Sequence, residues 1–433
     1  MSEETVTIVG SGLAGAMLAC HLGQMGRRVD LYERRPDPRQ GDPERGRSIN
    51  LALSTRGLHA LEVVGLAEEA RALGVLMRGR MIHHPDSTLT YQPYGNDDTQ
   101  ALHSVPRGGL NRLLVEKAAT YPGVRLFFSH KCTGIDLESG EADFATSEGP
   151  ARVTARHAVG ADGAWSQVRA AMQRREGFDY SQEYLGHSYK ELTIPPAEGG
   201  GFRMEKHALH IWPRGGHMMI ALPNSDGSYT CTLFWPHEMF AALKTPEEVR
   251  EHFLRDYPDA VPHLIGLEEQ YAANPVSPLV TIRCRPWHEG KAVLLGDACH
   301  AVVPFLGQGM NAAFEDCVVL AECLGRLPWT LAVTEYEALR KPHTDTLARL
   351  CIDNFIEMRD KVGSRWFVLW KKLGLWLHKL MPRWYIPLYT MVEFTRIGYA
   401  DAERRAIWQD RAVAWAGAGL AALAAGLAWW ATR

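Results

Sequence analysis

Near its amino terminus the chain carries Gly10-Ser11-Gly12-Leu13-Ala14-Gly15, three glycines at the spacing that lets a backbone wrap a pyrophosphate. Gly10 permits a tight turn, Gly12 lets the backbone approach a phosphate, and Gly15 allows a helix to pack closely on a strand. Leu13 and Ala14 open that helix, whose free N–H groups would face the phosphates. Glu33 follows Gly10 by 23 residues, where a carboxylate can accept hydrogen bonds from an adenosine ribose and repel a ribose phosphate. The chemistry expected is dinucleotide binding, with the dinucleotide still open. No Ser-His-Asp, paired-carboxylate or metal-ligand constellation stands out, so no side chain is assigned as catalytic and no metal is expected. His300, a lone histidine after a Gly-Asp turn, is read as structural.

These residues need a strand, a turn and a helix to hold them. Val6–Val9 is a short apolar run ending in the glycines, Ala16 to Met25 has helical spacing with Gly26 as its stop, and Val29–Tyr32 is a second apolar run leading into Glu33. Together they form a βαβ unit. Ala158-Val159-Gly160 and Ala292-Val293-Leu294-Leu295 read as further buried strands of the same layer. Met81 to Tyr94 and Tyr189 to Trp235 instead alternate and are broken by Pro, Gly and Asn-Ser-Asp-Gly, the pattern of antiparallel strands in a second domain. From Thr334 to about Met381 the chain reads as helical.

Composition narrows the classes. The 433 residues are 46% hydrophobic and 22% charged, which excludes a disordered, collagen-like or multi-span membrane chain. Forty-seven basic side chains against fifty acidic ones give a net charge of -3, no field for a polyanion, so nucleic acid is not an expected partner. Eight scattered cysteines without a CxxC pair read as reduced core thiols of a cytoplasmic body. Met1-Ser2-Glu3-Glu4 is acidic and lacks the basic and apolar regions of a secretory signal.

Two later segments bear on which dinucleotide is bound. They are Gly160-Ala161-Asp162-Gly163, and Gly296-Asp297-Ala298-Cys299-His300 followed by Pro304-Phe305-Leu306-Gly307-Gln308-Gly309-Met310-Asn311. With the glycine turn, this ordered set resembles the class A aromatic-hydroxylase group of flavoprotein monooxygenases. Within that group the chain is most similar to the kynurenine-hydroxylating members, from Val6 to about Ala402. The segments that carry this are Gly46-Arg47-Ser48-Ile49-Asn50-Leu51-Ala52-Leu53-Ser54, Gly79-Arg80-Met81-Ile82-His83, Tyr91-Gln92-Pro93-Tyr94-Gly95 and Asp353-Asn354-Phe355-Ile356-Glu357-Met358-Arg359.

The resemblance implies an α/β fold with a Rossmann-like FAD-binding domain, an antiparallel β-sheet substrate domain and a C-terminal helical region. Its expected parts are FAD-binding segments 1–75, 104–178 and 286–330, substrate-domain segments 76–103 and 179–285, a helical region 331–411 and a transmembrane helix 412–431. It implies tightly but non-covalently bound FAD, with NADPH as a transient co-substrate. The activity implied is hydroxylation of L-kynurenine to 3-hydroxykynurenine with O2 through a flavin hydroperoxide, a step of tryptophan degradation. The flavin site would take in Arg34, Ala52, Arg107, Cys132, Asp162, Asp297, Gly309, Met310 and Asn311 besides the glycine turn and Glu33. Asp297 would accept from a ribitol hydroxyl, and the Met310 and Asn311 N–H groups would face the flavin where negative charge accumulates. An arginine in the family's Gly-Arg-Met segment and a tyrosine fourteen residues later fall on Arg80 and Tyr94, and its asparagine and second tyrosine on Asn354 and Tyr389. Arg80 can hold a carboxylate by two parallel hydrogen bonds, Tyr94, Tyr389 and Asn354 can add neutral ones, and Phe305 can wall the ring.

Ala412 to Ala431 are twenty consecutive apolar residues, about 30 Å as a helix, enough for one bilayer span. Trp415 stands near one end and Trp429 and Trp430 near the other, while Arg404, Arg405 and Arg411 precede the run, keeping the body cytoplasmic. Ten alanines and three glycines make it weakly apolar, so a helix packed on the protein or on a second subunit of a homodimer is the competing expectation. Upstream, Trp366, Trp370, Trp376 and Trp384 alternate with Arg365, Lys371, Lys372, Lys379 and Arg383, a composition suited to a membrane surface or to a lid. Rival functions are a related hydroxylase of another aromatic acid and a membrane-tethered flavoprotein without turnover.

Overall fold

The computed structural model describes residues 4–41, 50–95, 100–357, 373–374 and 376–432. Gly46, Arg47, Ser48, Ile49, Met358, Arg359, Arg365, Trp366, Trp370, Lys371 and Lys372, all singled out above, lie outside the described residues. The apolar runs Val6–Val9, Val29–Tyr32, His157–Gly160 and Ala292–Leu294 form strands of one six-stranded sheet, joined by Val124–Phe127 and His288–Glu289. Its pairings are parallel except for the edge strand His288–Glu289. A parallel sheet must be covered on its faces, which is why these runs are continuously apolar rather than alternating. The helices Leu13–Gln24, Arg107–Ala119 and Gly309–Arg326 pack in contact here, with Ala16, Ala19 and Cys20 small enough for close approach.

The first helix starts at Leu13, three residues before its apolar period becomes visible, and the chain turns away at Gly26 with φ +73. The helix Arg107–Ala119 starts directly after Pro106, which ends the preceding strand in an extended conformation and supplies the helix entry. Lys131–Ile135, Glu141–Thr146 and Gly149–Thr154 form a small antiparallel sheet beside the nucleotide layer.

The second large sheet has seven strands, in the order Ser277–Arg285, Asp179–Ile194, Tyr229–Pro236, Met218–Pro223, Ala208–Pro213, Gly79–His83 and Leu89–Pro93. It is not wholly antiparallel: Gly79–His83 pairs parallel with Ala208–Pro213, setting Arg80 opposite Leu209. Side chains alternate across a strand, so Arg80 and Ile82 share one face with Leu209, Ile211 and Ile220. The opposite face buries Trp212, Met219, Leu233 and Trp235 against Val249, Phe253 and Leu267 of the helices Pro246–Asp256 and Leu267–Ala273. Strands Asn50–Leu53, Leu102–Pro106 and Val75–Met77 form a separate three-stranded sheet, with Leu102–Pro106 in the middle.

The helix Trp329–Ile356 follows, and the boundary expected at residue 411 is not a structural break. One helix runs from Tyr399 to Ala431. Its first turns bury Tyr399, Ala402, Ala406 and Gln409, whereas past Asp410 its described side chains are exposed or half-exposed. The change is compositional: a one-sided helix becomes apolar all round. Tertiary folding also gathers His217, His252 and Asp256, a trio that linear spacing does not reveal. His217 Nε2 and His252 Nε2 lie 3.2 and 3.3 Å from Asp256 Oδ2, while Arg255 donates to His252 Nδ1 at 2.6 Å and to Asp256 Oδ1 at 2.9 Å, so the trio and the guanidinium form one ion-pair cluster. All eight cysteines are buried and unpaired.

Candidate active site

The glycine turn is set by backbone contacts. Gly10 N–H donates to Tyr32 O at 2.7 Å, Ala161 N–H to Val9 O at 2.8 Å and Ser11 N–H to Glu33 Oε2 at 2.8 Å. Gly10 has φ +101, and a methyl placed on Gly15 would stand 1.9 Å from Gly10 O. A methyl on Gly12 would meet nothing within 4 Å, so this glycine borders open space of the kind a phosphate needs. Glu33 is buried; burial opposes its charge, but Arg35 and the N–H groups of Arg35 and Ser11 hold its carboxyl below the usual range. Arg34 is exposed just beyond it.

The remaining expected flavin residues converge on this turn. A methyl on Gly296 would lie 3.3 Å from Ala14 Cβ and 3.1 Å from Ala313 Cβ, so the Gly296-Asp297 turn, the first helix and the helix Gly309–Arg326 meet there. Asp297 is exposed at that junction. Asn311 ties the helix start to the small sheet: its Nδ2 donates to Ala52 O at 2.8 Å and to Gly307 O at 2.9 Å, and its Oδ1 accepts from Ser54 N–H. The first backbone bond of that helix runs from Ala312 N–H to Gln308 O, leaving the N–H groups of Gly309, Met310 and Asn311 ahead of it. Arg107 is exposed at the start of its own helix, where a cation opposes the helix dipole unless an anion shares the site.

Two expected residues do different work with their side chains. Asp162 Oδ2 accepts from the N–H groups of Gln167 and Val168 and so caps the helix Gln167–Met172, while Oδ1 is buried without a partner. Cys132 is buried on Lys131–Ile135 and its thiol is pushed up to about 12 by burial, so it stays a neutral thiol. His300 is held by Asp316, whose carboxylate also accepts from Arg340; Arg340 and Arg56 both pair with Glu315. This buried network braces the turn and leaves His300 no free approach.

The residues present therefore fit a flavin dinucleotide: open space at Gly12, a buried acid at Glu33, an exposed Asp297 and a positive helix end at Met310.

Beyond that helix end, Arg80, Tyr94 and Tyr389 come together. The Arg80 guanidinium lies 4.6 Å from the Tyr389 ring centroid and 5.7 Å from that of Tyr94, and the two rings stack at 5.9 Å. Arg80 is deep among protein atoms yet keeps accessible surface, as do Leu209, Ile220, Ala52 and Tyr389 around it, so these side chains line an internal slot. Arg80 Nε and the Tyr94 hydroxyl are buried without hydrogen-bond partners. Burial opposes the Arg80 charge, but Tyr389, Tyr94 and Glu357 outweigh it and the guanidinium stays charged. Burial raises Tyr94 to about 12 against the opposing pull of Arg80, and Tyr389 well above its ordinary value, so both remain neutral donors. A buried cation with an unmatched N–H is costly by itself, and its natural complement is a carboxylate.

Phe305 packs 4.2 Å from Phe355 and 5.0 Å from Phe234, an aromatic wall contributing about 1 kcal/mol per contact beyond its buried area. Asn354 is buried in that wall and donates from Nδ2 to Phe305 O at 2.7 Å, so it fixes the turn bearing Phe305. Sequence reasoning missed Glu393, which is fully buried beside this group with Gln308 donating to its Oε2 at 2.6 Å. Its signal was an acid four residues after Tyr389 in the otherwise apolar run Met391-Val392-Glu393-Phe394.

Residues 3–333 match the FAD binding domain family. The chain is 49% identical over 428 residues to a kynurenine 3-monooxygenase of Salinispora tropica, spanning 97% of this chain and 94% of that protein. The chain belongs to the kynurenine 3-monooxygenase family. The kynurenine 3-monooxygenase of Sus scrofa is 42% identical over 423 residues, covering 95% of this chain and 88% of its own. The fold matches that of 2-methyl-3-hydroxypyridine-5-carboxylic acid oxygenase with a TM-score of 0.70 at 21% identity, over 84% of this chain and 94% of the other. Members of the kynurenine 3-monooxygenase family are FAD-dependent hydroxylases, so the expected fold class, cofactor and enzyme class hold for this chain.

Proposed function

We propose that this protein hydroxylates L-kynurenine at ring carbon 3, giving 3-hydroxykynurenine, with Arg80 as the group that selects the substrate. The observation that carries the reading is a buried guanidinium whose Nε has no hydrogen-bond partner among the described residues, flanked by two neutral tyrosines beside Ala52, whose carbonyl is held by Asn311 at the helix start. Arg80 binds the amino-acid carboxylate, and Tyr94 and Tyr389 donate to it. Phe305 and Phe234 hold the aminophenyl ring, with Asn354 keeping Phe305 in place. Gly10, Gly12, Leu13, Ala14 and Gly15 hold the FAD pyrophosphate and Glu33 and Arg34 its adenosine half. Ala52, Arg107, Cys132, Asp162, Asp297, Gly309, Met310 and Asn311 serve the remainder. The chemistry that bound FAD would supply is reduction by NADPH and activation of O2, one oxygen atom of which would go to the ring and the other to water. The chain's own contribution is to position the ring, exclude water and place a positive helix end against developing negative charge. The ring amino group already enriches the carbon ortho to it, so no strong protein base is needed. Incubation with L-kynurenine, NADPH and labelled O2 should yield a product heavier by one labelled oxygen atom. NADPH oxidation with unlabelled or unchanged kynurenine would sink the assignment.

The carboxyl-terminal helix supports a membrane tether on a cytoplasmic body. Tyr399–Ala431 is long and apolar enough to cross a bilayer, and the described side chains of its apolar stretch are exposed or half-exposed. Trp384 and Trp408 lie 5.4 Å apart on the surface, near exposed Trp376, Leu380 and Met381, forming an aromatic patch continuous with the helix. Truncation after Asp410 should move the protein from the membrane fraction to the supernatant with its activity kept. That cut spares the bond from Tyr385 to Asp410 and those between Gln409 and Ile386. Full-length protein already in the supernatant as a dimer would instead assign the exposed helix to a second subunit.

A further inference from the structure

Glu393 is a buried acid beside the slot for which neither substrate nor cofactor binding has accounted. It lies one turn after Tyr389 on the helix Leu388–Phe394, so the two side chains share a face. Its Oε2 accepts from Gln308 Nε2, and its Oε1 is buried with no partner, as are Arg80 Nε and Tyr94 Oη. Three unpartnered polar atoms thus occur in one small region. The groups that act on Glu393 come from every neighbouring element: Arg80 from Gly79–His83, Tyr94 after Leu89–Pro93, Arg56 from Thr55–Val63 and Cys351 from Trp329–Ile356. Tyr389 lies on its own helix and Tyr399 at the start of the last one. Gln308 in turn accepts from Tyr399 Oη at 2.9 Å and immediately precedes the helix whose N–H groups face the flavin side.

We infer that Glu393 is a positioning residue that sets the charge of the slot: as a neutral carboxyl it leaves Arg80 free to capture the substrate carboxylate, and as a carboxylate it cancels that field. The inference rests on the reading of Arg80 given above. An ionised carboxylate with one unpaired oxygen is disfavoured in a buried site, and the single neutral donor Gln308 does not compensate. Burial raises the Glu393 carboxyl to about 8, with Arg80 and Arg56 opposing. At neutral pH the slot therefore carries the Arg80 charge alone. Above about pH 8 Glu393 loses its proton, the pair becomes neutral overall, and an anionic ligand must return a proton to Glu393 in order to bind.

The experiment is a titration of the FAD-loaded enzyme with L-kynurenine and with its desamino analogue 4-(2-aminophenyl)-4-oxobutanoate, which lacks the α-amino group that ionises at alkaline pH in kynurenine. Affinity is read by quenching of flavin fluorescence and by calorimetry in two buffers of different ionisation enthalpy. From about pH 7 to about pH 9 the wild-type Kd for the analogue should rise about tenfold, with about one proton taken up on binding at the upper pH. In Glu393→Gln, whose side chain cannot ionise, the ratio of the two Kd values should fall to about one. A flat wild-type profile without proton uptake overturns the inference, as does the same alkaline loss in Glu393→Gln. Should that variant fail to fold, wild-type proton uptake alone decides. Absence of kynurenine binding by the wild type at neutral pH would instead remove the substrate reading itself.

Discussion

Replacing Arg80 with Ala is expected to raise the KM for L-kynurenine by tenfold to a hundredfold, about 1.5–3 kcal/mol for a lost charge-assisted hydrogen bond. The effect should fall mainly on KM, because the carboxylate is held alike in the ground and transition states. Arg80→Lys should recover part of the loss, since an ammonium supplies charge but not two parallel donors. Thermal stability is the control. Arg80 has an unpartnered Nε and ring faces in place of an ion pair, so its removal relieves a buried charge and should shift Tm by no more than about 3 °C. Unchanged kinetics would take the carboxylate out of the slot. A collapse in Tm would make Arg80 a structural residue.

Alanine at Gly15 and alanine at Gly12 should separate the roles of the turn's glycines. Gly15→Ala places a methyl 1.9 Å from Gly10 O, within the backbone of the turn itself. Relieving that contact requires a backbone shift costing about 3 kcal/mol, so FAD retention should fall about a hundredfold and stability with it. Gly12→Ala meets no protein atom within 4 Å, so the apoprotein should fold and melt normally. Its methyl enters the space assigned to the phosphate, and FAD should be lost all the same. Visible flavin absorbance after purification and the apoprotein Tm are the two readouts. A Gly12→Ala protein that stays fully yellow would refute the placement of the pyrophosphate.

The parts of this protein readable along the chain are those set by neighbours in sequence. The glycine turn, Glu33 and the flanking strands fall within one βαβ unit, so spacing alone determines their geometry. The free N–H groups at Met310 follow from the helix start in the same way. The second sheet was legible from its β-rich runs and the turn residues that break them, although Met218–Pro223 and Tyr229–Pro236 bury side chains on both faces.

What pairs with what across long separations was decided only on folding. The parallel pairing of Gly79–His83 with Ala208–Pro213 joins segments whose local patterns do not distinguish one edge from another. Asp162 had the residue type of a cofactor ligand, but one of its oxygens caps the adjacent helix. Glu393 had no local mark of function beyond being an acid in an apolar run. Its character comes from Arg80, Arg56 and Gln308, which reach it from three other elements. Local order reflects short-range backbone preferences and periodicity, and these are written in adjacent residues. The charge and hydration of a buried group depend on which distant chains surround it, and only the closed tertiary structure supplies that.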